Sequence, residues 1–152
     1  MNESLPSVPL LPQAQLEAVV TSFYDMVFAH PWIGQFFTHV DQRNQETKLV
    51  RFFQMSWDDR AYPDMQAQYI RQEHAHMYIT DELFELRSAL FSDAVRKHGH
   101  GQDVVEAFEV FNDIWRASVI KASVEDCSDM FTDIVVHPRP EGLGAVSAAA
   151  GE

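Results

Sequence analysis

Cysteine is nearly absent from this chain. Cys127 is the single one in 152 residues, so no disulfide can close within the chain. That fits, without demanding, a reducing compartment, and the expected location is cytoplasmic. Basic residues are also scarce. Eleven Lys and Arg stand against 23 Asp and Glu, a formal charge of −12. Nucleic acid and anionic membranes are held by clustered Lys and Arg, so both are poor partners for this chain. No uncharged apolar run approaches the roughly 20 residues of a membrane span. No basic flank leads into an apolar core near the N-terminus, so a secretory signal is not expected. A Gly-rich phosphate loop, a Cys-x-x-Cys pair and a His-x-x-x-His pair are missing as well. Cys127 has no defined basic neighbour and reads as an incidental thiol rather than a nucleophile.

What the chain does have is aromatic and helical. It carries 11 Phe, 4 Tyr and 3 Trp, and 46% of its residues are hydrophobic. Its length suits one domain with a sizeable core. Pro6, Pro9 and Pro12 mark residues 1–12 as an extended arm. In residues 13–30, Leu16, Val19, Val20, Phe23, Tyr24, Val27 and Phe28 recur at three- and four-residue spacing, which predicts an amphipathic helix stopped by Pro31. Trp32–Phe37 forms a short apolar corner. A second helix is expected over 42–57 with Asp41 as its N-cap, then a short one over 65–76. Thr80 caps a fourth helix, 81–97, whose apolar stripe (Leu83, Phe84, Leu86, Leu90, Phe91) is interrupted by Arg87. His98-Gly99-His100-Gly101 ends it as a solvated turn. A last long helix is expected over 102–124, and 133–136 as a short further element. The Pro-, Gly- and Ala-rich end makes 127–152 a largely disordered extension of the 13–126 domain. There is no period-two alternation strong enough for a sheet, so the fold class is all-α.

The stretch Tyr69–Thr80 holds His74 and His76. Two residues apart on a helix, their side chains point about 200° from each other, so the pair is a weak zinc signal. A single neutral imidazole beside an apolar cleft can instead hold a haem iron, with aromatic side chains covering the porphyrin. The alternative is a loop with two half-exposed histidines.

The order of the aromatic pieces is more specific. Phe23-Tyr24 on the first helix, the Phe36-Phe37 corner, the Phe52-Phe53 pair, and Gln72-Glu73-His74-Ala75 followed by Ile79-Thr80-Asp81 together resemble the truncated haemoglobins. The match runs over roughly residues 16–121. The resemblance implies a two-over-two helical sandwich holding haem b. It makes His74, not His76, the proximal iron ligand. It puts Tyr24, Gln45, Lys48 and Leu49 at distal positions and Phe37 against the porphyrin, with Phe52, Phe53, Ile79 and Phe84 as haem or core contacts. At the Lys48 position some members place a residue that itself binds iron; the other reading is a surface lysine over the cleft. Arg87 stands where the family often has an apolar or aromatic residue near the haem. It either reaches a propionate or faces water. The usual Gly-Gly motifs are absent, and Asp59–Ala61 stand where the second would be. A divergent group I-like member fits these features, with group III the alternative.

The function that follows from the resemblance is reversible binding of O2, NO or CO. Nitric oxide dioxygenase or peroxidase-type chemistry would need a separate reductase. Two other classes are a haem-based sensor or regulatory module, and a globin-like interaction domain that has lost its haem.

Overall fold

The computed structural model describes residues 9–58 and 63–143. Six helices form among them: α1 (Gln13–Ala29), α2 (Gln42–Ser56), α3 (Pro63–His74), α4 (Asp81–Lys97), α5 (Gln102–Asp113) and α6 (Arg116–Val119). Of two short 3₁₀ turns, Ile33–Phe37 lies between α1 and α2 and Val124–Asp126 follows α6. No described helix is long and apolar enough to cross a membrane. Residues 1–8 of the N-terminal arm lie outside the described residues. The end of the arm is anchored, with Leu11 buried in the core.

Local chemistry accounts for the helix ends. Asp41 caps α2 by accepting from the Asn44 amide at 2.9 Å, and Thr80 caps α4 by accepting from the Leu83 amide at 3.2 Å. Each satisfies a donor that the first helical turn leaves unpaired. Gly99 ends α4 with φ of +83°, a left-handed conformation that costs glycine little. Gly34 is required for another reason. A Cβ there would meet the Val27 and Phe28 carbonyls at 2.9 Å, so its bareness lets the corner turn close against the end of α1.

Packing follows the apolar faces. α1 lies against α2 and α4, and α4 lies against α5, so the α1/α2 pair stacks on the α4/α5 pair in the expected all-α arrangement. Fully buried Phe23, Phe53, Phe91 and Phe108 meet where the two pairs cross. Phe53 sits at the hub, with its ring centroid 5.2–5.6 Å from those of Phe91, Phe108 and Phe111 and stacked at 5.4 Å on Trp57.

The end of the chain departs from expectation. The helix expected over 102–124 breaks after Asp113. The Ile114 and Trp115 amides turn to carbonyls three residues back, at 3.2 Å each, and the chain is extended again at Ile120. Tertiary partners compete for this segment. The Arg116 guanidinium lies 4.7 Å from the Phe84 ring centroid and bonds Asp81, Glu85 and Asp113, while the Lys121 amide bonds the Ile79 carbonyl at 2.8 Å. The described part of the C-terminal extension, through Leu143, is tied to the domain. Val135 forms a parallel bridge with Met77, and the His137 carbonyl accepts from the Trp32 indole at 2.8 Å. Residues 144–152 lie outside the described residues, as do 59–62 with the Asp59–Ala61 connection.

Candidate functional site

Between α1, the corner turn, α2, α3, α4 and α5 lies a cavity of about 370 Å³. That is a ligand-sized space. All ten of the residues singled out by sequence line it: Tyr24, Phe37, Gln45, Lys48, Leu49, Phe52, Phe53, His74, Ile79 and Phe84. Helix periodicity explains the grouping on α2, where 45, 48, 49, 52 and 53 fall on one face. The aromatic residues are not of one kind. Phe53 and Phe84 are core residues that also meet the cavity, whereas Phe37, Phe52 and Ile79 are half-buried and form its wall.

His74 is the last residue of α3. Its Nδ1 lies 2.8 Å from the Ile70 carbonyl oxygen, one helical turn back. A carbonyl can only accept, so Nδ1 carries the proton. In neutral imidazole this leaves Nε2 as a lone pair, and no described residue hydrogen-bonds to it. Burial pushes the imidazole below its usual value, with the Ile70 bond opposing that and the charges of Arg87 and Lys121 adding to it. His74 is thus a neutral, oriented imidazole lining an apolar cavity. The carbonyl that orients it is the ordinary i−4 partner at a helix end, a position that sequence alone does not single out. His76 lies on the cavity rim, off the end of the helix.

Tyr24 lines the cavity from α1, 7% exposed, with its ring edge-on to Phe37 at 6.0 Å and Phe28 at 6.1 Å. Burial raises its phenol above the usual value, with Arg87 opposing this and Glu46 adding to it. The hydroxyl therefore stays protonated, and no described residue takes its hydrogen bond. Gln45, half-buried on α2, lines the same cavity. Lys48 is 58% exposed at the mouth, with Nζ 4.0 Å from Glu73 Oε1 across to α3.

Arg87 does not turn out to solvent. It lines the cavity from α4, with its guanidinium 5.2 Å from the Phe23 ring centroid. The signal is present in the sequence, since Arg87 is the one charge that breaks the α4 stripe. Phe111 and Asn112 on α5 and Trp115 just past its end also reach the cavity; in sequence Phe111 and Trp115 look like any other inward positions of that stretch.

The backbone around His74 is held from the far side. Lys121 Nζ donates to the carbonyls of His74, Met77 and Val119 at 2.8, 3.0 and 2.9 Å. These close the C-terminal end of α3, where unpaired carbonyls favour a cation. The Ser128 and Val135 amides donate to the Ala75 and His76 carbonyls at 2.9 and 2.8 Å, and Tyr78 donates to Val135 at 2.9 Å. None of these long-range partners is readable from local sequence. His98, expected in a solvated turn, holds the Ser22 hydroxyl of α1 at 2.8 Å. The Cys127 thiol is pushed up by burial, which disfavours the reactive thiolate.

Residues 12–118 match the family model described as "Bacterial-like globin". No curated protein matches the chain.

Proposed function

We propose that this chain, which belongs to the bacterial-like globin family, holds a b-type haem through His74 and binds a diatomic gas beside Tyr24. The observation that carries the reading is the state of His74, whose donor nitrogen is spent on the Ile70 carbonyl and whose acceptor nitrogen is left for the cavity. Globins bind haem, and the group supplies an iron able to take O2, NO or CO. The chain's residues fit it. The wall is aromatic, the imidazole is neutral, and the exposed Lys48 and Glu73 are among the few charged lining residues.

Each residue then has a physical task. Ile70 holds the His74 ring plane, and the Lys121 ammonium holds the helix end that carries it. Phe37, Phe52 and Ile79 exclude water and pack the porphyrin. The Tyr24 hydroxyl donates to the gas ligand, with Gln45 as a second donor. Lys48 guards the mouth through Glu73 rather than ligating iron. Residues 13–126 form the globin domain, of a group I-like kind. Conversion of NO and O2 to nitrate, or peroxide reduction, is the enzymatic extension of this reading. It draws electrons from a separate reductase in the cytoplasm.

The test is a titration of the purified full-length protein with ferric haem, followed by reduction. One haem per chain should bind with a Soret band, and the ferrous form should be five-coordinate. Lys48→Ala should leave both spectra unchanged. No Soret band after haem addition would sink the proposal and favour an interaction domain. A six-coordinate ferrous form that disappears in Lys48→Ala would move that lysine onto the iron.

Tyr24→Phe isolates the distal donor. A neutral hydrogen bond contributes about 0.5–1.5 kcal/mol, so the O2 dissociation rate in stopped flow should rise about twofold to tenfold. An unchanged rate would assign the hydroxyl a structural role only.

A further inference from the structure

Arg87 is a charged side chain inside an apolar cavity, and nothing among the described residues neutralises it. Three other arginines are paired: Arg116 has three carboxylates, Arg96 has Asp93 and Arg139 has Glu82. Among the described residues no ion pair or hydrogen bond reaches the Arg87 guanidinium. Its contact is the face of Phe23 at 5.2 Å. The cavity's own carboxylate, Glu73, is spent on Lys48 at the mouth. A half-buried charge without a counter-charge in an apolar pocket is still costly, and a guanidinium stays protonated rather than escaping by neutralising. Its place is inward. Tyr24 and His74, which line the same cavity, both lie within reach of its charge, whereas the Lys48–Glu73 pair is exposed.

We propose that Arg87 makes this cavity an anion receptor, in which its guanidinium and the Tyr24 hydroxyl together hold a small monovalent anion of the nitrite, azide or fluoride class. This rests on the haem reading above for its site of action and extends it from neutral gases to anionic ligands. Guanidinium and phenol both donate, and an anion accepts from both. Charge-assisted bonds of this kind are about twice as strong as neutral ones. The phenol stays protonated at neutral pH, so it does not compete as a second anion. The same cation would also suit a haem's own carboxylates, and the test separates the two sources.

Fluoride and azide are titrated into the ferric haem-loaded protein and its Arg87→Leu and Arg87→Lys variants, with carbon monoxide on the ferrous form as the neutral control. Arg87→Leu should weaken both anions by about tenfold or more, with carbon monoxide affinity within about twofold and Arg87→Lys recovering part of the loss. Unchanged anion affinity in Arg87→Leu would overturn the proposal. Faster haem release in Arg87→Leu with anion affinity intact would overturn it too, because Arg87 would then belong to a propionate. If neither chain takes up haem, the apo protein decides. Wild type should bind anilinonaphthalene sulfonate more tightly than the uncharged N-phenyl-naphthylamine, and Arg87→Leu should lose that preference. Retention of the preference in that variant would overturn the proposal without reference to haem.

Discussion

Replacing His74 with alanine should abolish haem retention. The imidazole is the one side chain described in the cavity that combines a lone-pair nitrogen, a neutral state and a fixed ring plane. Loss of even an outer partner of a metal ligand costs about 10–100-fold in affinity, so loss of the ligand itself should exceed about 100-fold. Gel filtration after haem loading should yield a colourless variant, and added imidazole should restore a Soret band by filling the space the side chain leaves. Far-ultraviolet circular dichroism should stay close to wild type, because His74 closes α3 through its backbone, which Lys121 holds regardless of the side chain. His76→Ala is the matched control and should retain haem. Normal haem retention in His74→Ala, or loss in the His76 variant alone, would place the ligand elsewhere.

The largest effect on stability should come from Phe53→Ala. Phe53 is 1% exposed and its ring meets Trp57, Phe91, Phe108 and Phe111, so it joins α2 to both α4 and α5. Truncating a buried phenylalanine costs about 3–5 kcal/mol, as lost transfer energy plus the void left behind. Domains of this size have about 5–15 kcal/mol in all, so the variant should be marginal in the apo form. Urea unfolding of the apo protein should show a large fall in midpoint. Phe37→Ala, at the half-buried wall, should cost much less. A loss below about 1 kcal/mol at Phe53 would mean that the two helix pairs do not lean on this ring.

Elements set by neighbours in the chain are legible in the sequence. Asp41 and Thr80 cap the helices assigned to them, and the α1 and α4 stripes bury as their periodicity requires. The candidate site is legible as a set of residues, because helical spacing puts 45, 48, 49, 52 and 53 on one face and the resemblance supplies the rest. That these residues meet in one cavity is a property of the packing. The break at Ile114 is not legible, because its local sequence is as helical as what precedes it. Arg116 and Lys121 turn the chain there by bonding groups on α4 and at the end of α3.

By itself, then, the sequence determined the all-α class, most of the helix starts and the main apolar faces, while the preference for His74 over His76 came from the family resemblance. The class, the starts and the faces follow from capping and periodicity, both of which act over a few residues. Only the tertiary structure decided the tautomer of His74, the tying of residues 128–135 to the segment just after His74, and the turning of Arg87 into the cavity against Phe23. Each depends on groups brought together from distant parts of the chain or by the packing of helices. A lone arginine in an apolar stripe reads equally well as facing water or facing a ligand until the neighbouring helices enclose it.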